Sequence, residues 1–181
     1  DGKYHFRIKN RGLAFAMDQL NLSNFDKILF FDTDTYFHHS FLPLFDLIKP
    51  NQAVLYLNEG LIYSKKRFFP YVQGLEGRNI TIENDNFQIS KNSALWGSLM
   101  VGVTPNMRSH IDWADRLIEE LFDLVNLHTI EEFALGQSLS RNYNIVEGKK
   151  YVSLYSTSRK KEYAKVILKA FFEKNKDLPL N

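Results

Sequence analysis

The chain has 181 residues, the usual length of one domain, and 44% of them are hydrophobic and 24% charged, which excludes a disordered or fibrous protein. Its 23 basic and 21 acidic residues leave a net charge of +2, too balanced to indicate a nucleic-acid binder. The lack of cysteine excludes a disulfide scaffold, a thiolate metal site and a cysteine nucleophile. No apolar run reaches the ~18 residues of a membrane span.

Hydrophobic periodicity predicts a series of alternating helices and strands. In chain order these are a helix over 12–20, a buried strand over 27–31, a helical turn over 44–48, a strand over 53–57, a polar surface loop over 73–93, a strand over 97–103, helices over 106–125 and from 129, strands over 144–146 and 151–154, and a helix over 159–173. This alternation is typical of one α/β domain with a mostly parallel sheet flanked by helices.

Two of the predicted helices carry more specific expectations. The helix from Thr129 has Glu132 three residues later, which is the spacing of a capping box. The last helix is expected to turn five apolar residues inward and its lysines outward; these residues are Tyr163, Val166, Ile167, Ala170 and Phe171. Between residues 141 and 176 there are ten basic and three acidic residues, a net charge of +7. This segment is either a solvated helix face or an anion site for phosphates or a membrane surface.

The chemistry is expected where the first buried strand ends, at Asp32 and Asp34. In an open α/β sheet, ligands bind beyond the carboxyl ends of strands. Alternate residues of an extended segment point the same way, so both carboxylates are expected to face one point. Two such groups repel each other unless a cation joins them, and Mg²⁺ or Mn²⁺ commonly bridges carboxylates to phosphates. The pattern therefore predicts a metal–diphosphate site, although both residues are also common in simple turns.

Four segments resemble one enzyme family in order and spacing. The segment DKILFFDTDTYF (26–37) resembles the DxD strand of glycosyltransferases with the GT-A fold, and FLPLF (41–45) resembles the short helix of the glycogenin and bacterial galactosyltransferase group. The segments LWGSLMVGV (95–103) and TIEEFAL (129–135) resemble that group's later strand and helix start. The likeness extends over residues 11 to 172. It implies a single partial GT-A-like domain over 1–181 whose first βαβ unit would lie before Asp1.

The resemblance implies a metal-dependent transfer of a sugar from a nucleotide-diphosphate donor, with a UDP-sugar favoured, to a glycan, lipid or protein acceptor. Asp32 would contact the donor ribose or the metal, and Asp34 would hold Mn²⁺ or Mg²⁺. The other implied site residues are Arg11 at the donor phosphates, Trp96 and Ser98 in the sugar and acceptor pocket, Glu131 as a base or sugar ligand, and Lys160 or Arg159 as a clamp on the diphosphate. A cytoplasmic protein is expected, with peripheral membrane contact through the basic C-terminal helix.

Each of these residues also has a simpler interpretation. Trp96 at the edge of a buried strand is typical of a core residue, and Glu131 is typical of helix-dipole compensation in a first turn. Arg11 is also typical of a surface residue. The family's C-terminal metal-ligating His has no counterpart in residues 152–156. His38 and His39 are neighbours that point opposite ways on an extended segment, so they are expected at the surface.

Two other functions remain open. In a phosphatase of the haloacid-dehalogenase type, Asp32 would be the nucleophile and Asp34 the acid/base, with Asp112 and Asp115 as the nearest candidates for a second acidic pair. That motif has Gly then Thr after its second Asp, whereas this chain has Thr35 then Tyr36. The alternative is a GT-A-like domain without catalysis, which serves as a binding module.

Overall fold

The computed structural model describes residues 6–64, 66, 72–125, 129–155 and 157–176. The helices in these ranges are α1 (Arg7–Gln19), α2 (Leu42–Leu47), α3 (Arg108–Phe122), α4 (Ile130–Leu139) and α5 (Ser158–Lys174). The strands are β1 (Ile28–Phe31), β2 (Thr35–Phe37), β3 (Gln52–Leu61), β4 (Asn79–Ile82), β5 (Asp85–Gln88), β6 (Ala94–Val103), β7 (Asn144–Glu147) and β8 (Val152–Leu154). Short 3₁₀ turns lie at Ile62–Ser64 and Pro105–Met107.

The central sheet has four strands in the order β1–β6–β3–β7. Strands β3 and β7 pair in parallel, but β6 is antiparallel to both of its neighbours. The α/β class is therefore confirmed. The prediction of a mostly parallel sheet is wrong, because the strands of this sheet pair in both directions. The physical reason is the return of the chain to the same end of the sheet after β3: Leu61 at the end of β3 pairs with Ala94 at the start of β6.

Helices cover both faces of this sheet. The larger core lies on the face of α1, α3 and α4, and its helix residues include Leu13, Met17, Ile111, Ile118 and Phe133. The opposite face carries a smaller cluster under α2, made of Leu44, Ile48, Val54, Met100 and Val152. Full burial of such a side chain contributes ~1.5–3 kcal/mol. The continuous apolar stripe that predicted the long helix is thus the packing surface of α3.

Residues 73–93 differ from the expected surface loop. They contain the antiparallel hairpin of β4 and β5, with Ile80 opposite Phe87. Glu83 in its turn has a positive φ of 56°. Ile80, Ile82 and Ile89 are buried in the larger core. Polar residues alternate with isoleucine in this segment, and a short strand with one buried face has this pattern.

Helix α5 also differs from its prediction. None of its residues is buried, so the apolar side chains expected to face inward are at the surface. The basic residues and the apolar stripe are therefore exposed together. Among the described residues no helix is both long and apolar enough to cross a membrane.

Candidate functional site

The candidate site lies where β1 stops and its neighbours continue. Phe31 at the end of β1 pairs with Met100, while β6 begins six residues earlier at Ala94. The backbone N–H of Asp32 donates to the carbonyl of Leu99, 2.9 Å away, and so holds the first aspartate against β6. The open edge beyond β1 is then bordered by β6, by α1 and by the start of α4.

A bulge in β6 shapes this edge. Leu55 pairs with Val101 and Leu57 with Gly97, so four residue steps on β6 face two on β3. Bulges redirect side chains and interrupt pairing, often beside functional sites. Ser98 lies inside the bulge and is fully buried.

Lys9 of α1 is the central cation of this edge. Its side chain is only 6% exposed, and its Nζ lies 3.2 Å from Oδ1 of Asp32. It also donates to the hydroxyl of Ser98 at 2.9 Å and to the Ser98 carbonyl at 3.1 Å. A buried ammonium is costly unless it is paired and hydrogen-bonded. Asp32 and Ser98 together satisfy this one, and they fix α1 against the sheet.

Asp32 and Asp34 belong to a tight turn, not to the extended segment that the sequence reasoning assumed. Thr33 and Asp34 are turn residues, and the hydroxyl of Thr35 donates to the carbonyl of Asp32 at 2.8 Å. The two carboxylates still interact. Burial raises the pKa of Asp32, the nearby Lys9 opposes this, and the charge of Asp34 raises the pKa further. The segment therefore combines the two features that the sequence offered as alternatives, a tight turn and a pair of interacting carboxylates.

Glu132 has a strongly raised pKa at this edge. Burial raises its pKa from the usual 4.5 to about 8, with smaller contributions from the charges of Glu131 and Glu59. Lys9 and a hydrogen bond from the Ser98 backbone act in the opposite direction. At neutral pH Glu132 therefore holds a proton.

The capping box predicted for α4 is wrong. Thr129 makes no capping hydrogen bond with its side chain, and its hydroxyl is buried without a hydrogen-bond partner. Glu132 does not close the helix start because its carboxyl group accepts from Ser98 instead. Glu131, proposed from the resemblance, is buried at 4% exposed. Its charge acts on Glu132, so both acids belong to the cluster.

Arg11 lies outside this cluster. It is half-exposed, and its Nε lies 3.5 Å from Oδ2 of Asp115 on α3. Arg7, one turn earlier, pairs with the same carboxylate. Lys9 lies between them in sequence and therefore points to another side of the helix. The structure thus brings Lys9, and not Arg11, to the candidate site. The sequence reasoning overlooked Lys9 because it began the helix at Gly12.

Trp96 packs against α4. A Cβ built on Gly136 would lie 2.8 Å from Cδ1 and 2.9 Å from Cβ of Trp96. The indole therefore lies directly on the helix backbone, and Trp96 joins the larger core as a partly buried residue. This packing is the simpler of the two interpretations that its sequence position allowed.

We expect Gly136→Ala to lower the free energy of unfolding by about 1–3 kcal/mol, because the added methyl group displaces the Trp96 ring from a packed position. Gly12→Ala is the matched control in α1. Nothing lies within 4 Å of its built Cβ, so the higher helix propensity of alanine should stabilise the chain by about 0.5–1 kcal/mol. Urea unfolding of the two variants measures both effects. Equal effects of the same sign would contradict the packing described for Trp96.

Lys160 is close to the same turn from the other side. Its Nζ donates to the Leu154 carbonyl at 3.3 Å, and Leu154 pairs with Thr35. The backbone N–H of Tyr155 donates to the Asp34 carbonyl at 3.0 Å. The ribbon of β2 and β8 therefore connects the DxD turn to the start of α5.

The eight residues suggested for the site, with Lys160 and Arg159 as alternatives for one role, are thus distributed unevenly. Arg159 is exposed in the first turn of α5. Asp32, Asp34, Ser98, Glu131 and Lys160 border one edge, Trp96 packs beside it, and Arg11 lies apart. Lys9 and Glu132 join the site without having been suggested as site residues. For Glu132 the available signal was the pair of adjacent glutamates at a helix start.

The comparisons with known proteins add no identification. No family model matches the chain, and neither a curated protein nor a solved structure matches it. The site must therefore be interpreted from its own geometry and charges.

A metal ion would have a small set of protein ligands at this edge. No group of three or more His, Asp and Glu side chains in the described part of the chain is arranged to hold a metal ion. Mg²⁺ and similar ions, however, are usually bound through one or two carboxylates together with substrate phosphates. Asp32 and Asp34 supply two carboxylates whose charges already act on each other. The donor chemistry therefore fits an ion that is completed by a phosphorylated ligand.

The acidic pair considered for a phosphatase is engaged elsewhere. Asp115 pairs with Arg7 at 2.5 Å, and Asp112 pairs with Arg108 one turn away. Both lie within α3, on the arginine-rich surface between α1 and α3. Their carboxylates neutralise arginines, and this arrangement gives the phosphatase interpretation no support.

The two histidines after the DxD turn are both at the surface. His38 lies in contact with β8, where its Nε2 is 2.6 Å from the hydroxyl of Ser153, and it is exposed, as is His39. The surface location expected for both is confirmed. His5, His128 and Ser156 lie outside the described residues.

A separate cavity of about 410 Å³ lies between the β4–β5 hairpin and α3. The charged residues that line it are all paired: Asp85 with Arg141, Glu83 with Arg116, and Asp112 with Arg108. The Trp113 indole donates to Asp85 at 3.1 Å, while the Arg141 guanidinium stacks on its ring. None of the residues suggested for sugar transfer lines this cavity, whereas Asp112, considered for a phosphatase, does.

Proposed function

We propose that the chain is a glycosyltransferase that moves a sugar from a nucleotide-diphosphate donor to an acceptor hydroxyl, with Mn²⁺ or Mg²⁺ bound through the DxD turn. The observation that carries this proposal is the pair of carboxylates at the end of β1. Asp32 and Asp34 are close enough for the charge of Asp34 to raise the pKa of Asp32. Like charges held together in this way favour the binding of a cation.

Asp32 and Asp34 would hold the ion. The metal would supply Lewis-acid stabilisation of the negative charge on the diphosphate leaving group. Lys9 fixes Asp32 through their ion pair and so limits the directions in which the carboxylate can turn. Lys160, on the other side of the turn, adds a positive charge that a diphosphate would attract.

Glu132 is the group best suited to hold and transfer a proton. With a pKa of about 8, it is protonated at neutral pH and donates a hydrogen bond to a ligand oxygen. Its proton is lost at slightly alkaline pH, and the resulting carboxylate can accept one from a hydroxyl group. A catalytic acid or base is most effective when its pKa is near the working pH. We therefore assign the acid/base role to Glu132, with Glu131 raising its pKa.

The test is calorimetric titration of UDP, and then of GDP, into the chain with and without Mn²⁺. We expect one nucleotide to bind in the presence of Mn²⁺ and to lose at least about tenfold in affinity in Asp34→Ala, because the variant loses one carboxylate ligand. Asp46→Ala is the matched control, since Asp46 is an exposed acid on α2, and its affinity should equal that of the unaltered chain.

Binding that is indifferent to Mn²⁺ or to Asp34 would contradict the metal site, and the absence of binding by both nucleotides would contradict the donor. Metal-dependent hydrolysis of the corresponding sugar nucleotide separates an enzyme from a domain that only binds. Strong Mn²⁺-dependent phosphatase activity that disappears in Asp32→Asn would exclude sugar transfer and favour the phosphatase alternative.

A further inference from the structure

Helix α5 exposes a face that the other long helices bury. Tyr163, Val166, Ile167 and Phe171 have exposed fractions of 69%, 65%, 51% and 57%. Val166, Ile167 and Phe171 lie three, four and eight residues after Tyr163, so the four side chains form one stripe along the helix. In α1, α3 and α4 the buried apolar residues belong to the larger core. No side chain of α5 is buried, and its stripe is therefore open to another surface.

The charge of α5 indicates which kind of surface. Six of its seventeen residues are basic and two are acidic, a net charge of +4. The two acids are engaged with lysines, because Glu162 pairs with Lys165 and Glu173 lies 3.9 Å from Lys169. The excess of positive charge therefore remains on a helix that also exposes large apolar side chains.

We propose that α5 lies flat on an anionic lipid bilayer. The stripe would enter the boundary between headgroups and acyl chains, while the lysines reach the anionic headgroups with their long side chains. An apolar protein groove would complement the stripe but leave the charge of +4 without a counterpart. An anionic bilayer complements both features.

The dimensions of α5 fit this position. At 1.5 Å per residue its seventeen residues extend about 25 Å, and among the described residues no helix meets the requirements for crossing a membrane. The helix also begins beside the DxD turn, since Lys160 bonds to Leu154 and Tyr155 bonds to Asp34. A bilayer under α5 would border the candidate site, but its binding does not depend on the proposed function.

The test is sedimentation of the whole chain with lipid vesicles. One set contains phosphatidylcholine alone, and the other contains phosphatidylcholine and phosphatidylglycerol in a ratio of about three to one. We expect at least about tenfold stronger binding to the anionic vesicles, weakened by added salt. Ile167→Asp with Phe171→Asp should abolish this binding. Phe15→Asp with Phe25→Asp is the matched control, because both phenylalanines are exposed outside α5, and it should bind as the unaltered chain does.

A second pair of variants tests the charge. Lys161→Gln with Lys174→Gln should weaken binding to the anionic vesicles about 25-fold, since each basic residue near the surface contributes about fivefold. Lys91→Gln with Lys149→Gln removes two exposed lysines outside α5 and should have no such effect. All these positions are exposed, so each variant is expected to fold, which circular dichroism verifies.

Three results would overturn the proposal. They are no binding to either vesicle, equal binding to both, and unchanged binding by the Ile167→Asp/Phe171→Asp variant. Light scattering without lipid measures whether the chain forms a dimer, in which a second copy would cover the stripe of α5. A dimer that this variant converts to a monomer, together with no vesicle binding, would assign the stripe to self-association and reject the bilayer.

Discussion

Lys9→Met is expected to lower the free energy of unfolding by about 2–3 kcal/mol at about pH 8. Removal of one partner from a buried ion pair costs about 3–5 kcal/mol, and the expected value is lower because the side chain of Asp32 is 33% exposed. Methionine keeps the length of the side chain but leaves the Asp32 carboxylate and the Ser98 carbonyl without their donor. Urea unfolding measures the loss.

The loss should be smaller at about pH 5. Burial already raises the pKa of Asp32, and Lys9 opposes this rise. Without Lys9 the pKa rises further, so Asp32 takes up its proton at a higher pH than in the unaltered chain and the uncompensated charge is reduced as the pH falls. The sign follows from linkage: a raised pKa favours the folded state at low pH and disfavours it as the pH increases through that pKa.

Two variants check the cause of this effect. Asp32→Asn combined with Lys9→Met should recover part of the lost stability, because the uncompensated charge is gone. Lys91→Met is the control at an exposed lysine, where a change within about 0.5 kcal/mol is expected. A Lys9→Met loss that is the same at both pH values and is not relieved by Asp32→Asn would contradict the ion pair as its source.

The unaltered chain is expected to lose stability as the pH rises to about 8, and Glu132→Gln is expected to remove most of this loss. In the folded chain the pKa of Glu132 is about 8, against 4.5 for an ordinary glutamate. The folded state therefore holds a proton that the unfolded state has released. The stability that this bound proton contributes is complete below about pH 4.5 and is lost as the pH rises to about 8. It amounts to roughly 3–4 kcal/mol. The total is kept below the single-site value because the pKa of Glu132 depends on the neighbouring charges of Glu131 and Glu59.

The measurement is the thermal midpoint as a function of pH. Glutamine resembles the protonated acid and can still accept from the Ser98 backbone, so Glu132→Gln should be about 6–12 °C more stable than the unaltered chain at alkaline pH. Near pH 5 the two should be nearly equal. Glu120→Gln, an exposed change on α3, should follow the unaltered chain. Parallel pH profiles for the unaltered chain and Glu132→Gln would reject a raised pKa at this position.

The position of Asp32 could be predicted from the sequence, whereas its partner could not. A short apolar strand followed by DxD is a local pattern, and β1 with the turn after it is found there. The expected full burial of this strand is wrong, because β1 lies at the edge of the sheet and its four residues are only partly buried. Lys9 is 23 residues from Asp32 and 89 from Ser98. Its role depends on how α1 lies against the sheet. Gln19 ends α1 close to the expected boundary, but the helix begins at Arg7, before the first apolar residue that was used to predict it.

Glu132 illustrates a second limit. Its helix start was recognised correctly, but its side chain was assigned to the nearest local partner, Thr129. In the folded chain the carboxyl group instead meets Ser98 from a strand, beside other acids. Propensity and capping patterns describe what neighbouring residues favour. They cannot include a competing contact from another element, and here the contact with Ser98 replaces the predicted cap.

The sequence by itself determined the α/β class, the presence of a strand directly before the two aspartates and the apolar stripe of α3. These features depend on the order of apolar and polar residues within one segment, and burial follows that order. Only the tertiary structure decided the reversed direction of β6, the choice of Lys9 over Arg11, the raised pKa of Glu132 and the exposure of α5. Each of these depends on which distant residues come together in space. The interaction of two charges depends on the distance between them, and a helix buries its apolar stripe only where another element covers it.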